Sequence, residues 1–272
     1  MSRRSLLVRP QINEPDTALC SPPKNRLALS LKRRKYKIIK RCIDIVSELW
    51  YNVHNDTMSE RKGGDVMPKG SPELTASRRE EIVGACEKLY KTMSFKDITL
   101  KDISVETSFS RPSIYNYFQT KEEIFLALMQ REYELWAEEV NALAEGNETM
   151  SADDLAAALA SSLEKREQLL KLLAMNHYDM EEHSRPERLT EFKTAYGASL
   201  DAVRACLDKF FPQIDRERFI YVFFPFLFGV YPYSVATEKQ LNAMKEAKIG
   251  FELHSIHDIV FQCVKQLLGA VY

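Results

Sequence analysis

The stretch ITLKDISVETSFSRPSIYNYFQTKEEIF, residues 98–125, most constrains what this chain can become. It sets two short helices and the start of a third close together. Thr99-Leu100-Lys101-Asp102 has the form of a capping box, in which the hydroxyl accepts the backbone N–H three residues on and the carboxylate reaches back. A helix is therefore predicted from Leu100, with Ile103 inward. Ser108-Phe109 ends it in a turn whose Phe is expected to be buried. Ser110 is placed to cap a second helix over Arg111 to Phe118, because Pro112 falls in a first turn, where the missing N–H has no partner to lose. Thr120-Lys121-Glu122-Glu123 repeats the capping pattern and opens a long helix. A compact helix-turn-helix is the reading that uses all of these signals.

In the second helix Ile114 and Phe118 stand four apart and face inward, leaving Arg111, Ser113, Asn116 and one edge of Tyr115 and Tyr117 outward. That set suits nucleic acid: Arg pairs with guanine or phosphate, Asn with adenine, and tyrosine hydroxyls with phosphate. No acid stands between Glu106 and Glu122 to repel a phosphate backbone. Asp102-Ile103, Phe109-Ser110, Ile114-Tyr115, Tyr117-Phe118 and Lys121-Glu122-Glu123 together resemble the DNA-binding signature of the tetracycline-repressor (TetR/AcrR) family. Two positions depart from it. Ser108 stands where the family usually carries Gly, which leads to the expectation that a non-Gly residue accepts a left-handed backbone there, and Pro112 stands where many members have Gly.

The DNA-contacting set expected from this match is Thr99, Leu100, Lys101, Ser110, Arg111, Pro112, Ser113, Tyr115, Asn116, Tyr117 and Lys121. The resemblance implies a one-component regulator, a repressor in expectation, that binds a palindromic double-stranded DNA operator as a homodimer in the cytoplasm. A small-molecule effector releases it. The family dimerises through its last two long helices, and Phe219 to Ala236 with Ile256, Ile259, Val260, Cys263, Val264, Leu267 and Leu268 offers two apolar surfaces for that. The alternative from a different class is an architectural or partner-binding helical dimer without an effector.

The fold class expected is all-α, a three-helix head on a helical body. Ser77-Arg78-Arg79-Glu80 reads as a further capping box, followed by Ile82, Val83, Cys86, Leu89, Tyr90 and Met93 at helical spacing. Phe95 and Ile98 continue that core. The head is assigned to residues 67–122 and the effector-binding and dimerisation body to 123–272. In the body, Phe125 to Val140 lie on a helix ending near Gly146, Ser151 starts another, and Ser184-Arg185-Pro186-Glu187 starts one carrying Leu189, Phe192, Tyr196, Leu200, Val203 and Leu207 on one face. No period-two alternation or hairpin dipeptide argues for a sheet.

Function classes narrow further by what is missing. There is no phosphate-cradling Gly loop, GxSxG or HExxH, so neither a catalytic residue nor a cofactor is assigned. The five cysteines are scattered and form no CxxC, which fits a reducing compartment. His254 and His257 lack a third ligand, so no metal site is assigned. His177 and His183 sit near Asp179, Glu181 and Glu182 in what reads as a solvated loop, with a ligand-gated connection as the alternative. Phe219 to Ala236 is uncharged, but Pro225, Gly229 and Pro232 interrupt it, so a buried helix is preferred to a membrane span. For an effector pocket the candidates are Tyr133, Trp136, Phe192, Tyr196, Phe223 and Phe224, although such aromatics are more often core than pocket.

Charge divides the chain. Residues 1–66 carry +7 and residues 67–272 carry −8, so DNA binding must rest on a local surface and not on net basicity. Residues 1–25 hold Pro10, Pro15, Pro22 and Pro23 and read as a flexible arm. Lys32 to Val53 is a basic amphipathic segment that suits a membrane surface or added DNA affinity. The competing expectation is that residues 1–66 are a non-native or disordered extension. Lys62-Gly63-Gly64-Asp65-Val66-Met67 permits codons containing AAAGGAGGTGAT just before an ATG, a strong bacterial ribosome-binding sequence. Translation is therefore expected to start at Met67. Intact-mass measurement of protein made from the native gene with its own upstream DNA should show a product lacking Met1 to Val66, and a product retaining them overturns the expectation.

Overall fold

The computed structural model describes residues 71–175, 177–250 and 252–269. The segment 1–66 and the start at Met67 lie outside the described residues. Among the described residues every regular element is helical: α1 Pro72–Tyr90, α2 Leu100–Val105, α3 Arg111–Ile114, α4 Lys121–Gly146, α5 Ala152–Glu164, α6 Glu167–Leu173, α7 His177–Glu182, α8 Pro186–Phe210, α9 Arg216–Ser234, α10 Glu238–Glu246 and α11 Ile256–Gly269.

Helix starts follow local chemistry, with three corrections. The Thr99/Asp102 box forms in both directions, as does Ser151/Asp154 at α5. However, α1 does not begin at Ser77. The Ser71 hydroxyl accepts the Leu74 N–H at 3.3 Å, and Pro72 fits the first turn without losing a bond, so Ser77 lies inside the helix. At α4 only half of the expected box exists. Thr120 accepts the Glu123 N–H at 3.2 Å, but the Glu123 carboxylate turns to the Gln119 N–H and to Arg185. At α8 the helix begins where expected, with Arg185 at the N-cap, yet Ser184 instead donates to the Met180 carbonyl. Residues expected to form a solvated loop around His177 form α7, which buries Met180.

The head packs Ile82, Cys86, Ile98, Ile103, Ile114 and Phe118 at zero exposure, with Phe95 edge-on to Phe125 at 4.8 Å where the head meets α4. In the body α4 runs along α8, α5 along α11, and α9 against α6, α8 and α11. The expected buried helix over 219–236 is buried on one face only. Phe219, Phe223, Phe224, Leu227 and Val230 point into the core of α9, whereas Tyr221, Val222, Phe228 and Tyr233 are exposed. No single described helix is long and apolar enough to cross a membrane, and α9 with α10 passes that test only as a pair bent by 81°.

The start of α4 is tied to α8 and to the end of the helix-turn-helix through the buried Glu123 carboxylate and its partner Arg185. The Glu123 carboxylate is fully buried, and Arg185 donates to it from Nε at 2.7 Å, from a terminal nitrogen at 3.0 Å and from its backbone N–H at 3.0 Å. Arg185 also donates to the Tyr117 carbonyl just beyond α3, at 3.2 Å. Burial pushes the Glu123 pKa up, but the bonds from Arg185 and Gln119 outweigh it, so the carboxyl sits below its ordinary 4.5. Since the folded value is depressed, the stabilisation is present above the unfolded value and is lost as pH falls through the folded one. Arg185→Ala should therefore destabilise the fold by about 3 kcal/mol at neutral pH, with a deficit that shrinks as pH drops below 4.5. Thermal melts across that range check this, and a deficit independent of pH would remove the ion pair from the account.

Candidate nucleic-acid interface

The turn between α2 and α3 is built without a left-handed residue. Positive φ outside Gly is confined, among the described residues, to Lys248, so the strain expected at Ser108 is absent. Instead the Ser108 backbone N–H donates to Glu81 on α1 at 2.5 Å and its hydroxyl to the other carboxylate oxygen at 3.1 Å. Lys88 pairs with Glu106 at the end of α2. The turn thus rests on α1, and Phe109, expected to be buried, is half-buried against Tyr117 at 6.2 Å.

The helix expected over Arg111 to Phe118 is shorter. α3 ends at Ile114, and tighter bonds, Asn116 N–H to Ser113 carbonyl at 3.2 Å and Tyr117 N–H to Ile114 carbonyl at 2.8 Å, carry the chain to Phe118. Ser110 is the N-cap, though its hydroxyl pairs with the Ser113 hydroxyl at 3.1 Å and makes no cap bond. The tightened turn changes which tyrosine faces out. Tyr115 is 46% exposed, whereas Tyr117 is 4% exposed. The Tyr117 hydroxyl accepts from Arg78 on α1 at 3.0 Å. Tyr117 therefore anchors the turn to α1 and does not present the outward edge expected of it.

The remaining expected contacts divide by accessibility. Thr99, Lys101, Ser110, Arg111, Pro112, Tyr115 and Asn116 are exposed, and Leu100 and Ser113 are half-buried. The Thr99 hydroxyl is engaged by Asp102 at 2.6 Å, and this bond, with the Thr99 N–H, holds the Asp102 carboxyl below its ordinary range. Arg111 donates to the Tyr115 hydroxyl at 3.2 Å and lies 6.0 Å over its ring, so guanidinium and phenol form one prearranged polar surface. Lys121 is half-buried. Its ammonium donates to the carbonyls of Phe95 at 2.8 Å and Ile98 at 3.1 Å and sits 4.3 Å over the Phe95 ring. Two of its three protons thus tie α4 to the link between α1 and α2.

The aromatic residues expected around an effector pocket do come together, but as packed core. Tyr133 lies 6.1 Å from Phe192 and 5.4 Å from Tyr196, and Phe224 lies 5.7 Å from Trp136, 5.8 Å from Tyr196 and 6.0 Å from Phe223. The Trp136 indole N–H is satisfied by Ser162 at 3.0 Å, which in turn donates to the Leu159 carbonyl. None of the six lines a cleft of about 860 Å³ walled by charged residues of α1, α4 and the start of α6, with Tyr231 from α9. Sequence reasoning missed this cleft and missed Arg185, Arg78 and Arg131. Their partners are tens of residues away, and no spacing rule links them. Among the described residues no group of three or more potential metal ligands occurs.

Comparison with known proteins agrees with this geometry. Residues 82–128 match the family model described as bacterial regulatory proteins, tetR family, and residues 130–252 match that of the tetracyclin repressor-like C-terminal domain. The uncharacterized HTH-type transcriptional regulator YfiR of Bacillus subtilis (strain 168) is 35% identical over 63 residues, 23% of this chain and 31% of that protein. The chain thus spans about a third of the length of the curated relative it matches. Among solved structures, the fatty acid degradation regulator FadR from Bacillus halodurans is similar at 15% identity over 78% of this chain and 98% of that one, with a TM-score of 0.48. The Thermus thermophilus FadR, a TetR family transcriptional repressor in complex with lauroyl-CoA, is similar at 19% identity over 72% and 96%, with a TM-score of 0.47. With head and body both matched, the chain belongs to the TetR family of DNA-binding transcriptional regulators.

Proposed function

We propose that this regulator is a repressor that binds a palindromic operator as a homodimer, through the surface around α3, and that a small-molecule effector releases it. The observation that carries the DNA side is the run of exposed polar groups at Lys101, Ser110, Arg111, Tyr115 and Asn116, with Arg111 already oriented by Tyr115. Arg111 and Asn116 supply base-reading chemistry, and Lys101 supplies a phosphate contact. Lys121 retains one ammonium proton for a phosphate beside its two structural bonds.

A two-fold dimer would present its α3 helices to successive major grooves about 34–36 Å apart or somewhat more, so the protected DNA should be a palindrome. Footprinting that finds one asymmetric half-site speaks against the dimer. Arg111→Ala should cost about 1–3 kcal/mol of operator affinity and relax specificity, whereas Lys101→Ala should weaken all sequences alike and lower the salt slope by about one. Parent-like operator binding by both variants would remove this surface from the proposal.

Support for the homodimer comes from α9 and α11. Tyr221, Val222, Phe228 and Tyr233 expose large apolar area along one helix, beside the half-buried Ile259, Phe261 and Leu267 of α11, and contiguous apolar surface of that kind marks an interface. Phe228→Asp should shift the protein to monomer in light-scattering chromatography and abolish cooperative operator binding. A dimer that survives unchanged would place the interface elsewhere. The effector-free architectural reading draws on the packed state of the six body aromatics. Thermal-shift screening separates the two, because a true effector stabilises the protein by mass action.

A further inference from the structure

The cleft of about 860 Å³ is polar, and it lies between α1 of the head and α4 and α6 of the body. Five basic and four acidic side chains line it. Two of the four carboxylates are held closely: Arg131 bridges Glu80 and Glu87, and Lys91 pairs with Glu87 at 2.9 Å. Among the cations Lys165 pairs with Glu139 at 2.9 Å, which leaves Arg166 and Lys171 as the two without a close carboxylate. The Arg166 guanidinium reaches the Leu135 carbonyl at 3.2 Å, and its contacts to Glu132 at 3.6 Å and Glu139 at 3.5 Å are long. Its Nε is buried with no hydrogen-bond partner among the described residues. A buried charged donor left without an acceptor costs free energy, and the long contacts of the guanidinium's terminal nitrogens leave these free to take a closer anionic partner. Glu132 shows the same shortage of solvation: burial pushes its carboxyl above the ordinary value despite Arg166.

The cleft also contains the fastening of the head. From α6, Lys171 donates to the Tyr90 carbonyl at the end of α1 at 2.5 Å and lies 4.2 Å over the Tyr90 ring, while Gln168 donates to the Glu87 carbonyl at 3.3 Å. The Lys171 bond occupies the Tyr90 carbonyl at the end of α1, and the Gln168 bond adds a second donor to the Glu87 carbonyl, which already accepts the Lys91 N–H. Lys171 is thus both a clamp on α1 and, with Arg166, part of the cleft wall. We propose that this cleft binds a small oxyanionic molecule, carrying a carboxylate or a phosphate, through Arg166 and Lys171, and that the bound anion draws Lys171 from the Tyr90 carbonyl and loosens α1. The proposal rests on the effector reading above and gives that effector its chemistry and place. A cleft of about 860 Å³ has room for a metabolite-sized ligand.

Isothermal titration of the full chain with succinate, citrate and inorganic phosphate, at ionic strength held constant with sodium chloride, tests the site without DNA. Saturable binding of at least one of them with Kd below about 1 mM is expected, and binding of none overturns the proposal. Binding by succinate or citrate alone identifies the group as carboxylate, and by phosphate alone as phosphate. Arg166→Gln and Lys171→Gln should each weaken that binding about ten- to a hundredfold. Parent-like binding by either folded variant, judged by circular dichroism, overturns the assignment, and Lys171→Gln carries the test if Arg166→Gln fails to fold. Operator affinity of the parent should fall at least threefold with anion bound. Anion binding that leaves operator affinity unchanged overturns the loosening of α1. Should the anion-free parent fail to bind any operator, the regulatory reading fails, while the titrations still decide the site.

Discussion

The Glu123–Arg185 pair is the constraint on which the arrangement of head and body depends. A carboxylate with no solvent exposure is tolerable only while cationic and N–H donors surround it. Those donors come from one residue at the start of α8 and from the turn that follows α3. Satisfying Glu123 therefore fixes the first turn of α4 against both the body and the end of the helix-turn-helix. Arg185, through its bond to the Tyr117 carbonyl, carries the position of α8 directly to the backbone just beyond α3.

Around this pair the contact between head and body is largely polar. Arg79 meets Glu191 of α8 at 2.9 Å, Arg131 of α4 holds two glutamates of α1, Thr120 donates to the His183 carbonyl, and α6 clamps the end of α1. Apolar contact is concentrated at Phe95, Tyr90 and Phe125, where the head core runs into α4. A junction of this composition has a physical consequence. Interdigitated apolar cores resist small displacements because voids lose contacts outright, whereas part-exposed ion pairs exchange partners at modest cost. The head is therefore held by bonds that a competing charge can redistribute. The aromatic cluster of the body, from Tyr133 to Phe224, offers no such freedom.

Much of the helix-turn-helix was legible in the residues because its determinants are local. The Thr99 cap, the inward Ile103 and Ile114, the benign Pro112 and the start of α4 at Lys121 are each decided within four residues. The same locality explains what went astray. Ser77 and Ser71 both head plausible caps, and only the Pro at the first helical position and the observed bond favour Ser71. Tyr117 looked outward because the helix was extended to Phe118. Three-residue hydrogen bonding after Ile114 rotates Tyr117 inward, where Arg78 meets its hydroxyl. Ser108 looked strained because Gly is usual in that turn, and a carboxylate on α1 twenty-seven positions earlier removes the difficulty.

By itself the sequence determined an all-helical chain with a DNA-binding head, because apolar spacing, caps and turn chemistry act through neighbours along the chain. It also supplied every group that the junction uses, without saying how they meet. Only the tertiary structure decided that Glu123 is an ion-pair partner more than a cap, that two of the three Lys121 ammonium protons tie α4 to the head, and that the six body aromatics pack against one another. It likewise decided that the open volume lies among charges between α1, α4 and α6. The reason is the same in each case: burial and pairing are properties of residues brought together from 23 to 81 positions apart, and no local spacing encodes which partner a side chain will find.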